Sequence, residues 1–353
     1  MKFHLVSGGC GFVGRNVAKR LLETTSDYVL VVDDLSVGVA PDQWLYRDQL
    51  NLGTAPVKTV DHMEWWGQTQ RLLFWRGDFR QFLRHISDDP QWLKTAYGLP
   101  FERFSDVFHF AAIVGGRAKI DGDPMMVALD LSIDAELFYW AVRHMPDRLM
   151  FPSSSAAYPV NLQGENGFVA LKETDIQFGG NLGQPDMTYG WSKLTGEYLA
   201  QIAARHYNLH VACVRPFSGY GEDQDLTYPV PAIAARAARK EDPFEVWGTG
   251  KQGRDFVHID DCVDAIFFAL DHIKDGSAMN IGSGKIFSFL EIIELFTEFA
   301  GYQPTIKTLL DKPVGVHARH ADMDYVFNNL GWKPRISLRE GMRRVYDAAV
   351  KAI

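Results

Sequence analysis

A glycine-rich turn near the start of the chain constrains the fold more than any other feature. Gly8, Gly11 and Gly14 are spaced G-x-x-G-x-x-G between a short apolar run, residues 4–6, and an amphipathic run that predicts a helix. Such glycines let the backbone turn tightly and approach a pyrophosphate, while the N-terminus of the helix offers N–H groups to phosphates. A second apolar run ends at Asp33 and completes a βαβ unit. The pattern predicts a dinucleotide site in which the Asp33 carboxylate accepts the ribose hydroxyls and favours NAD over NADP.

Apolar runs that predict buried strands continue to alternate with helical patterns through the first two thirds of the chain. This alternation predicts an α/β fold, a Rossmann-type doubly wound parallel sheet, in residues 1–220. We expect a smaller α/β substrate-binding domain in residues 221–353, with residues of about 250–275 returning to the first domain. Residues 37–75 interrupt the alternation and are predicted to be a helical insertion. Its tryptophans either contact another subunit or, as we prefer, pack on their own domain.

The composition excludes several classes of protein. The chain has 353 residues, enough for about two domains at ~150 residues each. It is 46% hydrophobic and 23% charged, as in ordinary globular proteins. A net charge of −8 gives no basic field for a nucleic acid or a membrane surface. Three cysteines without a CxxC pair predict neither disulfides nor a metal site. Without an apolar run of about 20 residues or a signal peptide, we expect a cytoplasmic protein.

A second motif, Tyr189-x-x-x-Lys193, combines a phenol and an ammonium group. Residues four apart lie on one face of a helix, so the lysine is expected beside the tyrosine. A neighbouring positive charge favours the phenolate, which can act as a general base. The motif is common by chance, and its significance comes from its occurrence together with the dinucleotide turn.

Further segments accompany these two motifs. They are Gly77-Asp78, His109-Phe110-Ala111-Ala112, Ser153-Ser154-Ser155-Ala156-Ala157-Tyr158, Arg215-Pro216-Phe217-Ser218-Gly219-Tyr220-Gly221, Gly253-Arg254-Asp255 with Asp260, and Leu330-Gly331-Trp332-Lys333-Pro334. With them the chain resembles the extended short-chain dehydrogenases/reductases of the NAD-dependent nucleotide-sugar epimerase/dehydratase family. Residues 244–254 and 111–116 are most similar to the GDP-mannose 3,5-epimerase and GDP-fucose synthase branch, which indicates a GDP-linked sugar.

The resemblance implies roles for individual residues and a homodimer formed through helices of the first domain. The implied catalytic residues are Tyr189, Lys193 and Ser154. The implied cofactor-binding residues are Gly8, Gly11, Phe12, Val13, Gly14, Asp33, Asp78, Phe79, Ala111, Ala112, Tyr189, Lys193 and Pro216. The implied substrate-binding residues are Gly116, Arg117, Ser155, Ser218, Tyr228, Val230, Trp247, Arg254 and Arg319. Among these, Arg254 and Arg319 are candidates for the substrate diphosphate, because a guanidinium group matches phosphate oxygens.

The chain departs from the family pattern at the acid and base positions. Ala156 stands where the 3,5-epimerase and fucose-synthase relatives have a cysteine, and no lysine occurs between Asp223 and Arg236. Dehydratases of the family have an acidic pair after the serine, which Ser155 and Ala156 do not supply. Ser218 replaces the usual asparagine before Tyr-Gly, which puts the standard contact at that position in doubt.

Several hypotheses remain for the reaction. We prefer a 4-epimerase, because Tyr189, Lys193 and Ser154 with NAD suffice to oxidise a sugar hydroxyl and to reduce the ketone on its other face. An NAD-dependent pyranose/furanose mutase would also need no fixed acid and base at C3 and C5. A 3,5-epimerase would need substitutes, such as Tyr228, His109 or Ser155. A relative that senses NAD(H) without turnover is a further alternative, and Asp33 speaks against a reductase that consumes NADPH.

Overall fold

The computed structural model describes residues 1–44, 49–115, 117–164, 169–180, 182–312 and 314–353, except for the side chains of residues 117–119. The strands are β1 Phe3–Ser7, β2 Tyr28–Asp33, β3 Lys58–Val60, β4 Met63–Trp66, β5 Leu72–Arg76, β6 Asp106–His109, β7 Arg148–Pro152, β8 Val211–Pro216, β9 Ser218–Tyr220, β10 Phe244–Trp247, β11 Gly253–Arg254, β12 Phe256–His258, β13 Asp275–Ile281, β14 Phe287–Ser288, β15 Ile306–Leu309 and β16 Ala318–Arg319. The helices are α1 Phe12–Thr24, α2 Phe79–Asp88, α3 Trp92–Tyr97, α4 Arg117–Gly122, α5 Pro124–Val127, α6 Asp130–His144, α7 Met187–Tyr207, α8 Pro229–Ala238, α9 Ile259–His272, α10 Phe289–Ala300 and α11 Leu338–Lys351.

One large sheet organises the molecule. Its strand order is β13-β8-β7-β6-β1-β2-β5-β4-β3, parallel from β13 to β5 and antiparallel at β4 and β3. The chain runs outward from β1 in one direction through β2 and β5, and in the other through β6, β7 and β8. The order reverses between β1 and β6, which opens a crevice at the carboxyl ends of the strands, where doubly wound folds bind ligands. The predicted Rossmann-type, mostly parallel sheet is confirmed.

Both faces of this sheet are buried. Val6 and Val31 contribute to one hydrophobic core, together with residues of α1 and α9. Leu5 and Leu30, their neighbours in sequence, contribute to a second core with residues of α2, α6 and α7. Successive side chains of a strand point to opposite faces, so strands covered by helices on both sides need apolar residues at every position. This explains the continuous apolar runs in the sequence.

The predicted helical insertion at residues 37–75 is wrong. In its described part the structure has a 3₁₀ turn, Pro41–Gln43, followed by β3, β4 and most of β5, which extend one edge of the large sheet. Trp65 packs in the second core and Trp66 in the first, because β4 is buried on both faces. Trp44 is also buried in the first core. The preferred interpretation, that these tryptophans pack on their own domain, agrees with their burial.

The later part of the chain builds a third core. It lies among α8, α10 and α11 and the two-stranded sheet of β10 and β15. The chain returns to the large sheet with β13, and α9 packs in the first core. The domain boundary after residue 220 stays a prediction. In the described ranges, no helix is both long and apolar enough to cross a membrane.

A buried ion-pair cluster joins α1 to the loop that follows β9. Arg15 Nε and Lys19 Nζ lie 2.9 Å and 3.2 Å from Asp223 Oδ2, and all three side chains are buried. Asn16 donates to the same carboxylate at 3.2 Å. Burial by itself raises the pKa of Asp223, but the two cations outweigh it and hold that pKa below its usual value. The helix that follows the glycine turn is therefore fixed to the segment that leads to α8.

Candidate active site

The glycine turn has the shape that a dinucleotide pyrophosphate requires. Gly8 has a φ of +63°, in the left-handed region that favours glycine. A Cβ placed on Gly14 would lie 2.4 Å from the Gly8 carbonyl oxygen, so a side chain does not fit there. Gly11 is the N-cap residue of α1 and gives it no side-chain cap. The N–H groups of the first turn, including those of Phe12 and Val13, have no acceptor within the helix and are suited to phosphate oxygens.

Asp33 lies beside this turn at the end of β2. Its Oδ2 accepts the Cys10 N–H at 2.9 Å, and its Oδ1 accepts the Leu35 N–H at 2.8 Å. Burial raises the pKa of Asp33 above its ordinary value, although the N–H groups of Leu35 and Cys10 act in the opposite direction. Each carboxylate oxygen has a further lone pair for a hydroxyl donor. Asp33 and the glycine turn therefore fit NAD, for which they would supply the ribose and pyrophosphate contacts.

Asp78 has a local structural role in addition to the cofactor contact expected of it. It is the N-cap residue of α2 and accepts the Arg80 N–H at 2.8 Å. Its carboxylate also pairs with the Arg80 guanidinium at 2.9 Å, and this bond holds the pKa of Asp78 below its usual range. Phe79 is buried in the second core. The other expected cofactor residues are half-buried at the carboxyl edge of the sheet: Ala111, Ala112 and Pro216.

The predicted catalytic residues come together between β7 and α7. Tyr189 and Lys193 are one turn apart on α7, with Lys193 Nζ 5.8 Å from the centroid of the Tyr189 ring. Ser154 follows β7, and its hydroxyl accepts the Ala156 N–H at 3.1 Å. Asp186, just before α7, donates its N–H to the Ala156 carbonyl at 2.9 Å. The start of α7 is thereby tied to the serine loop.

A buried polar network supports this arrangement. Glu197 on α7 forms a two-point pair with Arg215 on β8, at 2.7 Å and 2.8 Å. The Ser153 hydroxyl also donates to Glu197. Arg215 donates to the Tyr158 hydroxyl at 2.9 Å, and Tyr158 donates to the Asn280 side chain at 2.7 Å. Burial raises the pKa of Tyr158, so it stays a neutral hydrogen-bonding group.

A cavity of ≈ 210 Å³ lies where these elements meet. It is lined by Ile120, Ser154, Ser155, Ala156, Asp186, Tyr189, Phe217, Ser218, Arg254, Gly315, Val316 and Arg319. Six residues predicted from distant parts of the sequence therefore share one cavity: Ser154, Ser155, Tyr189, Ser218, Arg254 and Arg319. The arrangement places a phenol and serine hydroxyls within one space with two guanidinium groups.

The two arginines are held differently. Arg319 donates to Gln163 Oε1 at 2.5 Å and to Asp186 Oδ2 at 2.9 Å. Arg254 donates to its neighbouring carbonyl, that of Gly253, at 2.7 Å, and to the carbonyl of Val314 at 3.3 Å. Neither Asp186 nor Gln163 was predicted from the sequence. An acidic residue directly before a predicted helix was a usable signal for Asp186, whereas nothing local indicated Gln163.

Tyr228 lies near Tyr189 without lining the cavity. It is the half-buried N-cap residue of α8. Burial, together with the proximity of Tyr189 and Asp225, raises the pKa of Tyr228 to about 12. Its side chain is therefore a neutral phenol near pH 7 and can donate a hydrogen bond.

Four other predicted substrate residues either do not line the cavity or lie, wholly or with their side chains, outside the described part of the chain. The Val230 side chain is buried in the third core and does not line the cavity, and its role in substrate binding stays a prediction. Trp247 ends β10 with 46% of its surface exposed, and it does not line the cavity. Gly116 lies outside the described residues, as does the side chain of Arg117.

Replacing Gly14 with alanine tests the dinucleotide turn. The added methyl group meets a backbone oxygen and has to displace the turn, at a cost of about 1–3 kcal/mol. We expect Gly14→Ala to weaken NAD binding roughly 10- to 100-fold in a calorimetric titration of cofactor-free protein. Gly122→Ala is the matched control, because its Cβ meets nothing within 4 Å. Wild-type affinity in a folded Gly14→Ala protein would contradict the assignment of this turn.

Comparisons with known proteins agree with this geometry. The chain is 27% identical over 252 residues to the GDP-L-fucose synthase of Sinorhizobium fredii, which covers 69% of this chain and 78% of the relative. It is 29% identical over 250 residues to the GDP-mannose 3,5-epimerase of Arabidopsis thaliana, which covers 69% and 65%. A solved structure of UDP-glucose 4-epimerase from Thermotoga maritima with UDP-glucose matches with a TM-score of 0.76 at 26% identity, over 99% of both chains.

The family assignment rests on a further match. The model of the NAD dependent epimerase/dehydratase family matches residues 81–282, more than half of the chain. That range contains Ser154, Tyr189, Lys193 and Arg254, four of the residues described above. The chain therefore belongs to the NAD-dependent epimerase/dehydratase family.

Proposed function

We propose that the protein is a nucleotide-sugar 4-epimerase acting on a GDP-linked sugar through a transient keto sugar. One observation carries this proposal: Ser154 and Tyr189 share a single cavity with Arg254 and Arg319. The hydroxyl pair is suited to a sugar carbinol and the guanidinium pair to a diphosphate. A nucleotide sugar has both groups within one molecule.

Each residue has a definite task in this reaction. The Tyr189 oxygen takes the proton of the sugar hydroxyl and returns it after the ketone has turned over. Lys193, at 5.8 Å from the Tyr189 ring, favours the phenolate electrostatically. Ser154 orients the same hydroxyl or relays its proton. When bound, NAD supplies the acceptor and donor of the hydride. Gly8, Gly14 and Asp33 would hold it at the turn between β1 and α1.

The lining of the cavity favours inversion at C4 over inversion at C3 and C5. Proton removal next to a ketone needs an acid and a base on opposite faces of the carbon. Ala156 lines the cavity where relatives have a thiol, and the alanine side chain has no group that can act as an acid or a base. His109 is fully buried and bonded to Ser7 and Asp134, so it does not reach a ligand in the cavity. Ser155 lines the cavity, but a serine hydroxyl is a poor acid or base. Tyr228 does not line the cavity.

The nucleotide is proposed to be GDP because of sequence similarity. The chain matches a GDP-L-fucose synthase and a GDP-mannose 3,5-epimerase, whereas the Thermotoga structure holds UDP-glucose. The base is expected to bind in the later part of the chain, beyond the two arginines.

We also propose that the protein is located in the cytoplasm, because Cys10, Cys213 and Cys262 are free thiols.

A panel of GDP-, UDP-, CDP- and dTDP-sugars tests the proposed reaction. We expect NMR of the products to show a GDP-sugar with inverted configuration at C4 and no net accumulation of NADH. A contracted ring would indicate the mutase, and inversion at C3 or C5 the 3,5-epimerase. If no sugar of the panel changes while NAD binds, the protein senses the cofactor and the proposal is wrong.

Replacing Tyr189 with phenylalanine tests the assigned base. Loss of the phenol oxygen removes the proton acceptor and leaves the ring in place, so we expect activity to fall about 10²- to 10⁴-fold. NAD affinity and thermal unfolding should remain near wild type. Tyr207→Phe, at the exposed end of the same helix, is the control and should keep full activity. Full turnover by Tyr189→Phe would exclude this tyrosine as the base.

We further propose a homodimer formed through α6 and α7. These helices pack against each other and expose large apolar side chains, namely Leu131 and Tyr139 on α6 and Trp191 and Tyr198 on α7. We call these four residues the α6–α7 surface. Exposed apolar side chains gathered on neighbouring helices are typical of a subunit contact. A second copy of the chain would cover them.

A charge on the α6–α7 surface should separate the subunits. We expect Trp191→Arg to reduce the mass measured by light scattering from that of two chains to that of one, because a buried unpaired charge disfavours association. Leu310→Arg is the control, since Leu310 is 73% exposed and follows β15, outside the α6–α7 surface. The same mass for Trp191→Arg and the wild type, or a wild-type monomer, would refute this interface.

A further inference from the structure

The active-site cavity contains an acidic group that the proposed reaction does not use. Among the lining residues that the structure describes, Asp186 is the one with a carboxylate. It is 8% exposed and directly precedes α7. Burying a carboxylate is costly unless it has a partner, and the Arg319 guanidinium lies 2.9 Å from Asp186 Oδ2. Both members of this ion pair line the cavity, so the pair bears on which ligand can enter.

The local backbone turns the Asp186 side chain away from the role that aspartate usually has at a helix start. Asp186 is the N-cap residue of α7, where an aspartate side chain usually accepts an N–H of the first turn. The Asp186 side chain accepts none of them. The next residue, Met187, has a φ of +54°, which residues other than glycine rarely adopt. Strained backbone of this kind is typical of functional sites.

The Asp186 backbone is anchored to the serine loop. Its N–H donates to the Ala156 carbonyl oxygen at 2.9 Å. A Cβ placed on Gly190, one turn later, would lie 2.3 Å from the same oxygen, so the close contact between α7 and the loop requires a glycine there. The carboxylate therefore extends from a well-anchored point of the cavity wall.

The arginine of the ion pair is itself oriented by its neighbours. Gln163 is 2% exposed, and its side-chain nitrogen donates to the carbonyls of Tyr158 and Pro159, both at 3.1 Å. Its side-chain oxygen accepts the Arg319 Nε–H at 2.5 Å. Arg319 on β16 is also paired in register with Arg254 on β11. Like charges opposite each other on neighbouring strands repel, and a carboxylate beside them reduces that repulsion.

Asp186 lies between the two ends that a nucleotide sugar would occupy. Tyr189 follows three residues later, which places both residues on one face of α7. Arg319 contacts Asp186 from the other side. In the proposed reaction Tyr189 faces the sugar hydroxyl that is oxidised, and the arginines face the diphosphate. The sugar ring connects these two groups in the substrate, so Asp186 flanks the ring.

We propose that Asp186 is a specificity-determining residue that accepts a hydroxyl of the sugar ring and excludes sugars that carry a carboxylate. An ionised carboxylate accepts hydrogen bonds from hydroxyl groups and donates none. A carboxylate on the ligand would be repelled even across a sugar ring, because a cavity screens charge less than bulk water does. The inference rests on the proposed function for the placement of the ring, and it restricts the substrate to nucleotide sugars with an uncharged sugar.

The other polar groups that line the described part of the cavity do not oppose an acidic sugar. The hydroxyl groups of Ser154, Ser155 and Tyr189 can donate a hydrogen bond as well as accept one, so they tolerate both kinds of sugar. The guanidinium groups of Arg254 and Arg319 attract a carboxylate. Removing the negative charge of the aspartate should therefore abolish or reverse the preference.

Two pairs of ligands that differ in this one group test the proposal. They are UDP-glucose with UDP-glucuronic acid, and GDP-mannose with GDP-mannuronic acid. The members of a pair share the base and the diphosphate, so the ratio of their dissociation constants reports on the sugar alone. In calorimetric titrations of NAD-loaded wild-type protein, we expect the neutral sugar to bind about tenfold or more tightly than the acidic one. Asp186→Asn should bring the ratio to about one or reverse it.

Two further variants separate charge from structure. Asp347→Asn is the matched control, because Asp347 on α11 also pairs with an arginine, Arg343, at 3.0 Å, but does not line the cavity. It makes the same change of charge and should keep the wild-type ratio. Asp186→Glu keeps the charge on a longer side chain and should still favour the neutral sugar.

The outcomes are distinguishable from those for the proposed function. A wild-type ratio in folded Asp186→Asn would overturn the inference, and so would wild-type protein that binds the acidic sugar as tightly as the neutral one. If Asp186→Asn does not fold, Asp186→Ser decides, because its hydroxyl can cap α7. Discrimination without turnover of any sugar would refute the proposed reaction and leave the inference standing. Wild-type protein that binds neither pair would overturn both.

Discussion

Helix α7 is held against the large sheet by one buried ion pair, that between Glu197 and Arg215. The pair lies one turn beyond Lys193, and Glu197 also accepts the Ser153 hydroxyl next to Ser154. The helix that carries the tyrosine and the loop that carries the serine therefore share one anchor. Breaking a buried pair of this kind by removing one partner costs about 3–5 kcal/mol. The relative placement of Tyr189 and Ser154, which the proposed reaction requires, therefore depends on this anchor.

Much of the fold was predictable because it follows from patterns among residues that are close in sequence. The spacing of Gly8, Gly11 and Gly14, with Asp33 at the end of the next strand, follows from backbone sterics and from the period of strand and helix. The segment with Trp65 and Trp66 was wrongly predicted to be helical, because that prediction also used only local patterns. A strand buried on both faces shows no alternation, so it can be confused with a buried helix.

The site was predictable only where a residue belongs to a motif. Tyr189 and Lys193 were predicted from their spacing and Ser154 from the family resemblance, and the structure places Ser154 and Tyr189 in one cavity. Gln163 and Asp186 hold Arg319 from 156 and 133 residues away, and no local pattern encodes such contacts. The burial of the Val230 side chain could not be predicted either, because its position in the sequence does not reveal which face of α8 meets the third core.

The cluster of Arg15, Lys19 and Asp223 bears on how the two parts of this chain could be recombined. Its two cations lie near the start of the chain and its single carboxylate lies past residue 220, so each part is incomplete without the other. A chimera that takes its later segment from a relative without an acidic side chain at position 223 would bury the Arg15 guanidinium and the Lys19 ammonium without this carboxylate. Exchange of substrate specificity between relatives by splicing must therefore transplant α1 or preserve this carboxylate.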